Sequence, residues 1–190
     1  MRIVYCIDSL ALSGGTERVL TTKLNWLAES GMVEVYVLTL EEKEEPFFEL
    51  SPKVKRIMLP VSNGDRVGYG VTLRKMLCEL KPDVTVHVAG MSDEVLPTLG
   101  DGSAKVMEFH YTKHFLVNFV KGLHSIRFRA LHLLKMRWLQ WNLARVSRRY
   151  DKFVALTRRD VELWGNPKNM TYIYNPLSFY SEKKSTCKNK

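Results

Sequence analysis

The sequence predicts an α/β protein: a mostly parallel sheet of about seven strands with helices on both faces. Three observations lead there. Short β-branched apolar runs alternate with helically spaced ones along the whole chain. The strand runs are apolar on almost every residue, as strands covered on both faces must be. A length of 190 residues, 45% hydrophobic and 26% charged, suits one large folded domain and excludes a disordered chain.

The elements follow in order. Arg2–Ile7 is the first strand. Thr16–Ser30 carries Val19, Leu20, Leu24, Leu27 and Ala28 at helical spacing, and Gly31 is the natural residue to end that helix. Val33–Leu40 is the second strand, Glu41–Glu45 an acidic loop, and Val54–Leu59 a third strand closed by Pro60. Val71–Leu80 is helical and stops at Pro82. Val84–Val88 is the fourth strand, Ser92–Leu99 a short helix broken near Pro97, and Lys105–Phe109 the fifth strand. Lys113–Arg149 reads as a long helix divided at Gly122. Lys152–Leu156 is the sixth strand, and Thr157 or Asp160 caps a short helix ending near Gly165. Met170–Tyr174 is the seventh strand, closed by Asn175-Pro176. Residues 1–180 thus form one domain, and the polar, lysine-rich stretch 181–190 has the composition of a linker.

The net charge of +9 is unevenly placed. Residues 1–100 carry 11 Lys and Arg against 14 Asp and Glu, whereas residues 101–190 carry 18 against 6. A uniformly basic nucleic-acid binder is excluded; the first half is mildly acidic and one segment is basic. No apolar run approaches the roughly 18 residues of a membrane span, and Asp8 interrupts the first strand too early for a signal-peptide core. Cys6, Cys78 and Cys187 share no motif spacing, which points to a reducing, cytoplasmic compartment; Cys6 and Cys78 read as buried small hydrophobes.

In open parallel sheets, ligands bind beyond the carboxyl ends of the strands. The loop after the first strand runs from Asp8 to Gly14-Gly15-Thr16 and then enters a helix. Two glycines let the backbone approach a ligand, and the N–H groups and dipole of the helix favour an anion such as a diphosphate. The same glycines also suit a plain turn. Neither GxxxxGK[ST] nor GxGxxG is present, so a P-loop and the dinucleotide fingerprint are excluded. Glu17 either supports the glycine loop or complements the positive end of the helix. His110 follows the fifth strand at the crevice edge, as a site residue or a satisfied loop histidine. Thr157 and Asn175 end strands on the same side, as crevice residues or as cap and turn residues. His87 reads as core. His114, His124 and His132 share no metal-ligand spacing, and no metal site is expected.

The ordered set of segments resembles the N-terminal half of a family 4 glycosyltransferase of the GT-B fold. Arg2-Ile3-Val4-Tyr5-Cys6-Ile7, Ser13-Gly14-Gly15-Thr16-Glu17-Arg18-Val19, Lys81-Pro82-Asp83-Val84, Glu108-Phe109-His110-Tyr111, Phe153-Val154-Ala155-Leu156-Thr157 and Ile173-Tyr174-Asn175-Pro176-Leu177 carry the likeness. The resemblance implies a Rossmann-like three-layer sandwich that holds the acceptor. A second domain, expected after the linker, would bind a nucleotide-diphosphate sugar. It implies sugar transfer with retention, without metal or other cofactor. It assigns His110 to the transferring sugar or acceptor hydroxyl, and Gly14, Gly15 and Thr16 to the donor diphosphate. It also implies that 190 residues alone do not transfer sugar efficiently, and that nucleotide sugar binds weakly. Asp8, Glu17, Thr157 and Asn175 are the further cleft candidates.

Nine Lys or Arg and no acid lie between Lys113 and Arg149, interleaved with Phe, Leu and Trp. Lys121, Arg127, Lys135 and Arg145 then face either anionic lipid on the inner side of the cytoplasmic membrane or plain solvent. Lipid contact fits a glycan or lipid-linked acceptor in cell-surface polysaccharide synthesis. Two other classes compete. A non-catalytic carbohydrate- or partner-binding domain would keep the crevice without turnover. A nucleic-acid module would use the basic and aromatic residues on phosphates and bases, although no such motif is present.

Overall fold

The computed structural model describes residues 1–40, 45–62, 64–115 and 126–176, with side-chain surroundings for all of these except Ala89 and 126–131. Lys121, the division at Gly122, the acidic loop 41–44 and the linker 181–190 lie outside the described residues, as does the side chain of Arg127.

Seven strands form one sheet: β1 (Arg2–Ile7), β2 (Glu34–Leu40), β3 (Lys55–Leu59), β4 (Val84–Ala89), β5 (Ala104–Glu108), β6 (Lys152–Ala155) and β7 (Met170–Tyr172). Their spatial order is β3-β2-β1-β4-β5-β6-β7, and every pairing is parallel. Among the described residues the helices are α1 (Gly15–Glu29), α2 (Arg66–Leu80), α3 (Ser92–Val95) running into a 3₁₀ turn at Leu96–Thr98, α4 (Ile126–Ser147) and α5 (Arg158–Leu163). The chain moves outward from β1 to β3, then returns to lay β4 on the other side of β1. That reversal creates the switch point at which such sheets bind ligands.

Period-two alternation sorts the strand residues into two cores. From β1, Ile3, Tyr5 and Ile7 join Leu20, Leu24 and Ala28 of α1 on one face. Val4 and Cys6 join Leu73 and Leu77 of α2 and Val146 of α4 on the other. Each such leucine, fully buried, contributes roughly 1.5–3 kcal/mol. The sandwich is therefore three-layered, as expected.

Some boundaries move. Helix α2 begins at Arg66, not Val71: the Asp65 carboxylate accepts from Gly68 N–H at 2.9 Å, and this cap starts a helix that Gly68 and Gly70 disguise as a loop. The seventh strand ends at Tyr172, short of Tyr174. Cys78 is exposed, because Leu73 and Leu77 take the inward stripe of α2; only Cys6 of the pair is buried. Among the described residues, no helix is long and apolar enough to cross a membrane.

Candidate functional site

Helix α1 starts without a side-chain cap. Its N-cap is Gly14, and among the described residues no side-chain cap bond is made to its first turn. Fifteen residues of aligned peptide dipoles therefore end in unsatisfied donors at Gly15 and Thr16. The one acid of that turn, Glu17, folds its carboxylate back over Gly14, so that a Cβ at Gly14 would meet it. Gly15 differs: a Cβ there would enter open space. Among the described residues no packing contact requires Gly15 to be glycine, and Gly15 lines the crevice.

That crevice has a volume of about 890 Å³ and is walled by the Ser13–Glu17 loop, Phe47, His110, Tyr111 and Asn175. It brings together Gly14, Gly15, Thr16, Glu17, His110 and Asn175, residues spread over more than 160 positions of sequence. The ends of β1, β5 and β7 place them there, in keeping with the strand-end rule.

His110 is the least satisfied polar side chain of this wall. Its side chain is 5% exposed, and both Nδ1 and Nε2 are buried with no hydrogen-bond partner among the described residues. Nε2 stands 3.5 Å from Glu108 Oε2, an electrostatic contact outside hydrogen-bonding geometry. The same Glu108 oxygen takes the Lys23 ammonium in an ion pair. Burial pushes the Glu108 carboxyl up, but the His110 imidazole and Lys23 outweigh burial and hold it below the usual carboxylate range. A small cavity of about 20 Å³, the space of one water, lies among Lys23, Glu108, His110 and Asn175. A buried imidazole with two unmet nitrogens and a carboxylate beside it can donate or accept a proton at a ligand hydroxyl.

Lys23 and Glu108 were not singled out from the sequence. A signal was present: Glu108 is an acid at the end of an otherwise apolar strand, and Lys23 sits beside Leu20 and Leu24 on the inward side of its helix.

Two cleft candidates have other work. The half-buried Asp8 carboxylate accepts from Met91 N–H at 2.9 Å and lies against Gly90. Gly90, at φ +97°, has no room for a Cβ there, so Asp8 ties the end of β1 to the turn after β4. Burial raises the Asp8 carboxyl above its ordinary value. Thr157 caps α5: its hydroxyl accepts from Asp160 N–H at 3.1 Å and donates to Asp160 Oδ2 at 2.6 Å. Neither residue lines the crevice of His110. Lys135 and Arg145 are exposed on α4. His87 is buried in the core, as expected. No cluster of three or more His, Cys, Asp or Glu suited to a metal occurs among the described residues.

The profile of Glycosyltransferase Family 4 matches residues 13–178, which include Gly14, Gly15, Thr16 and His110. The chain belongs to glycosyltransferase family 4. No curated protein sequence matches the chain significantly. Solved structures do. UGT2 of Phytolacca americana, complexed with UDP-2-fluoro-glucose and pterostilbene, is 11% identical with a TM-score of 0.63; the match covers 97% of this chain and 54% of that one. The lipopolysaccharide outer core galactosyltransferase WaaB, in its apo form, is 14% identical with a TM-score of 0.60, over 95% of this chain and 47% of that one. HepE of Anabaena, in complex with UDP and glucose, is 12% identical with a TM-score of 0.55, over 93% and 45%. At such identities the likeness is one of fold, and the fold is the Rossmann-like GT-B domain. The glycosyltransferase domain described here spans about half the length of those structures.

Proposed function

We propose that this domain is the acceptor-side wall of a retaining, metal-independent glycosyltransferase. The enzyme moves a sugar from a nucleotide-diphosphate donor to a glycan or lipid-linked acceptor in cell-surface polysaccharide synthesis. One observation carries the reading. The uncapped N-terminus of α1 and the imidazole of His110, whose nitrogens make no hydrogen bond among the described residues, face the same crevice. The first offers N–H donors and a positive dipole to a diphosphate, and the second offers a proton carrier to the transferring sugar or acceptor hydroxyl. Phytolacca UGT2 and HepE, which share the fold, hold UDP-2-fluoro-glucose and UDP with glucose. A separate donor-binding domain supplies the other wall, so this domain alone binds the donor weakly and turns over slowly. The fold and family support this reading over a nucleic-acid module.

Amide NMR of the domain titrated with UDP-glucose tests it. The expected result is a dissociation constant of about 1 mM or weaker, some 4 kcal/mol of binding. The shifts should centre on Gly14, Gly15 and Thr16. Shifts confined to the opposite end of the sheet, near Gly31 and Lys81, would sink the proposal.

A cytoplasmic, peripheral position on the inner face of the membrane belongs to the same proposal. Helix α4 exposes Leu134, Trp138 and Trp141, while Leu143 and Val146 pack inward. The outward apolar residues are thus not core, and Lys135, Arg137 and Arg145 flank them. Each Lys or Arg near an anionic bilayer contributes about 1 kcal/mol. Sedimentation with phosphatidylglycerol vesicles should pull the domain down at low salt and release it at high salt. Equal recovery with purely zwitterionic vesicles would remove the electrostatic part.

A further inference from the structure

The structure holds a second chamber, of about 740 Å³, between the ends of β4 and β5 and the inner side of α4. Tyr111 walls both this chamber and the glycine-loop crevice, so the two adjoin at that ring. His87, Met107 and Phe109 also line it. The His87 Nδ1 is hydrogen-bonded to Ser92 Oγ at 2.5 Å, which fixes the ring's orientation.

The chamber's polar side is pre-organised. Glu94 accepts from Arg66 Nη1 at 2.9 Å through one oxygen and from Asn142 Nδ2 at 2.6 Å through the other. Asn142 Oδ1 in turn accepts from Arg145 Nη2 at 3.0 Å, and the Arg145 guanidinium lies 5.7 Å from the centre of the Trp141 ring. Each carboxylate oxygen keeps a second lone pair for an incoming hydroxyl. A row of fixed acceptors and donors beside aromatic walls is the chemistry that binds a polyhydroxylated ring.

Trp138 decides what is attached to that ring. It lines the chamber and is also 59% exposed, on the outward face that carries Leu134 and Trp141. At Trp138 the chamber therefore meets an exposed apolar strip of the helix, while the half-exposed Arg66 and Glu94 border it on the polar side. A free glycan gains nothing from that surface, whereas an apolar chain leaving the mouth is covered by it.

We infer that this chamber takes the glycosyl head of an amphiphilic glycoside, its hydroxyls on the Arg66–Glu94–Asn142 row and its apolar chain leaving over Trp138. The inference rests on the acceptor-side reading above and narrows the acceptor to a lipid-linked one. The shared Tyr111 wall sets such an acceptor next to the crevice of His110.

Calorimetric titration of the domain tests it. The probes are octyl β-glucoside and octyl β-galactoside, each below its critical micelle concentration, the two methyl glycosides, and a zwitterionic detergent of equal chain length. At least one octyl glycoside should bind ten-fold or more tighter than its methyl counterpart and than the zwitterionic detergent. Asn142→Ala should abolish the preference for the sugar head. Trp138→Ala, at an exposed position that folding does not need, should abolish the preference for the octyl chain. Equal binding of octyl and methyl glycosides, equal binding of the zwitterionic detergent, no binding of either octyl glycoside, or full binding by both variants overturns it. The UDP-glucose shifts at Gly14–Thr16 separate the two failures. If they persist without glycoside binding, only the chamber assignment falls; if both are absent, the acceptor-side reading falls with it.

Discussion

His110 Nε2 stands 3.5 Å from the Glu108 oxygen that also pairs with Lys23. The carboxylate thus joins the crevice imidazole to the inward side of α1. Glu108→Gln leaves Lys23 charged, with its side chain 21% exposed, and without its partner. Breaking a fully buried pair costs about 3–5 kcal/mol, and the water that Lys23 retains reduces this to about 1–3 kcal/mol. Because Glu108 is held below its ordinary value, its contribution is present above the unfolded carboxyl range and is lost as pH falls through the folded one. Urea titrations at pH 7 and pH 3 should therefore show a smaller difference in the Glu108→Gln protein than in the wild type.

Gly15 faces open space. Gly15→Ala should leave the unfolding midpoint unchanged or raise it slightly, since alanine is the better helix former by up to about 1 kcal/mol. Its methyl group enters the crevice, and the UDP-glucose dissociation constant should rise about ten-fold. Stability retained with affinity lost is the signature; a protein that simply unfolds would contradict the open space.

Burial and the neighbouring His110 push His87 down to about 3. A histidine depressed in the folded state opposes protonation. Its stabilising effect is complete above about pH 6.5 and is lost as pH falls toward the folded value, by about 1.4 kcal/mol per pH unit. Ring-proton NMR should show His87 constant from pH 8 to 5. His87→Asn should flatten the acid limb of the stability curve between pH 6.5 and 4.5. A ring that titrates near 6.5 would place His87 in water.

The Asp8–Gly90 contact predicts coupled losses. Gly90→Ala puts a Cβ at φ +97° against the Asp8 carboxylate, for a cost of about 2 kcal/mol or more. Asp8→Ala removes the bond to Met91 N–H, worth about 1 kcal/mol. In the double variant the alanine meets no carboxylate, so the two losses should sum to less than their separate values. A double-mutant cycle by chemical denaturation reads the coupling.

Much of this was legible in the sequence. The strands and α1 announce themselves through periodicity, and the GT-B resemblance names the glycine loop and His110 before any coordinates. Helix α2 was under-read because glycine propensity hides a cap at Asp65. Cys78 was misread as buried because an apolar pattern around a residue does not say which side of the helix it takes. Thr157 was readable as a cap from its place before a helix, and the structure gives it that role.

Sequence by itself determined the fold class and the order of the elements, because local periodicity and capping act over a few residues, and the ordered motifs carried the family resemblance. Tertiary structure alone decided which side chains meet. The Lys23–Glu108–His110 group, the Asp8 tie to Gly90 and the Arg66–Glu94–Asn142 row each join segments that are far apart in the chain. Only the parallel order β3-β2-β1-β4-β5-β6-β7, which brings all strand ends to one side, sets those distances. The uneven charge also acquires a place: part of the basic segment is a helix that exposes Leu134, Trp138 and Trp141 among its basic residues, a packing result that no count of lysines contains.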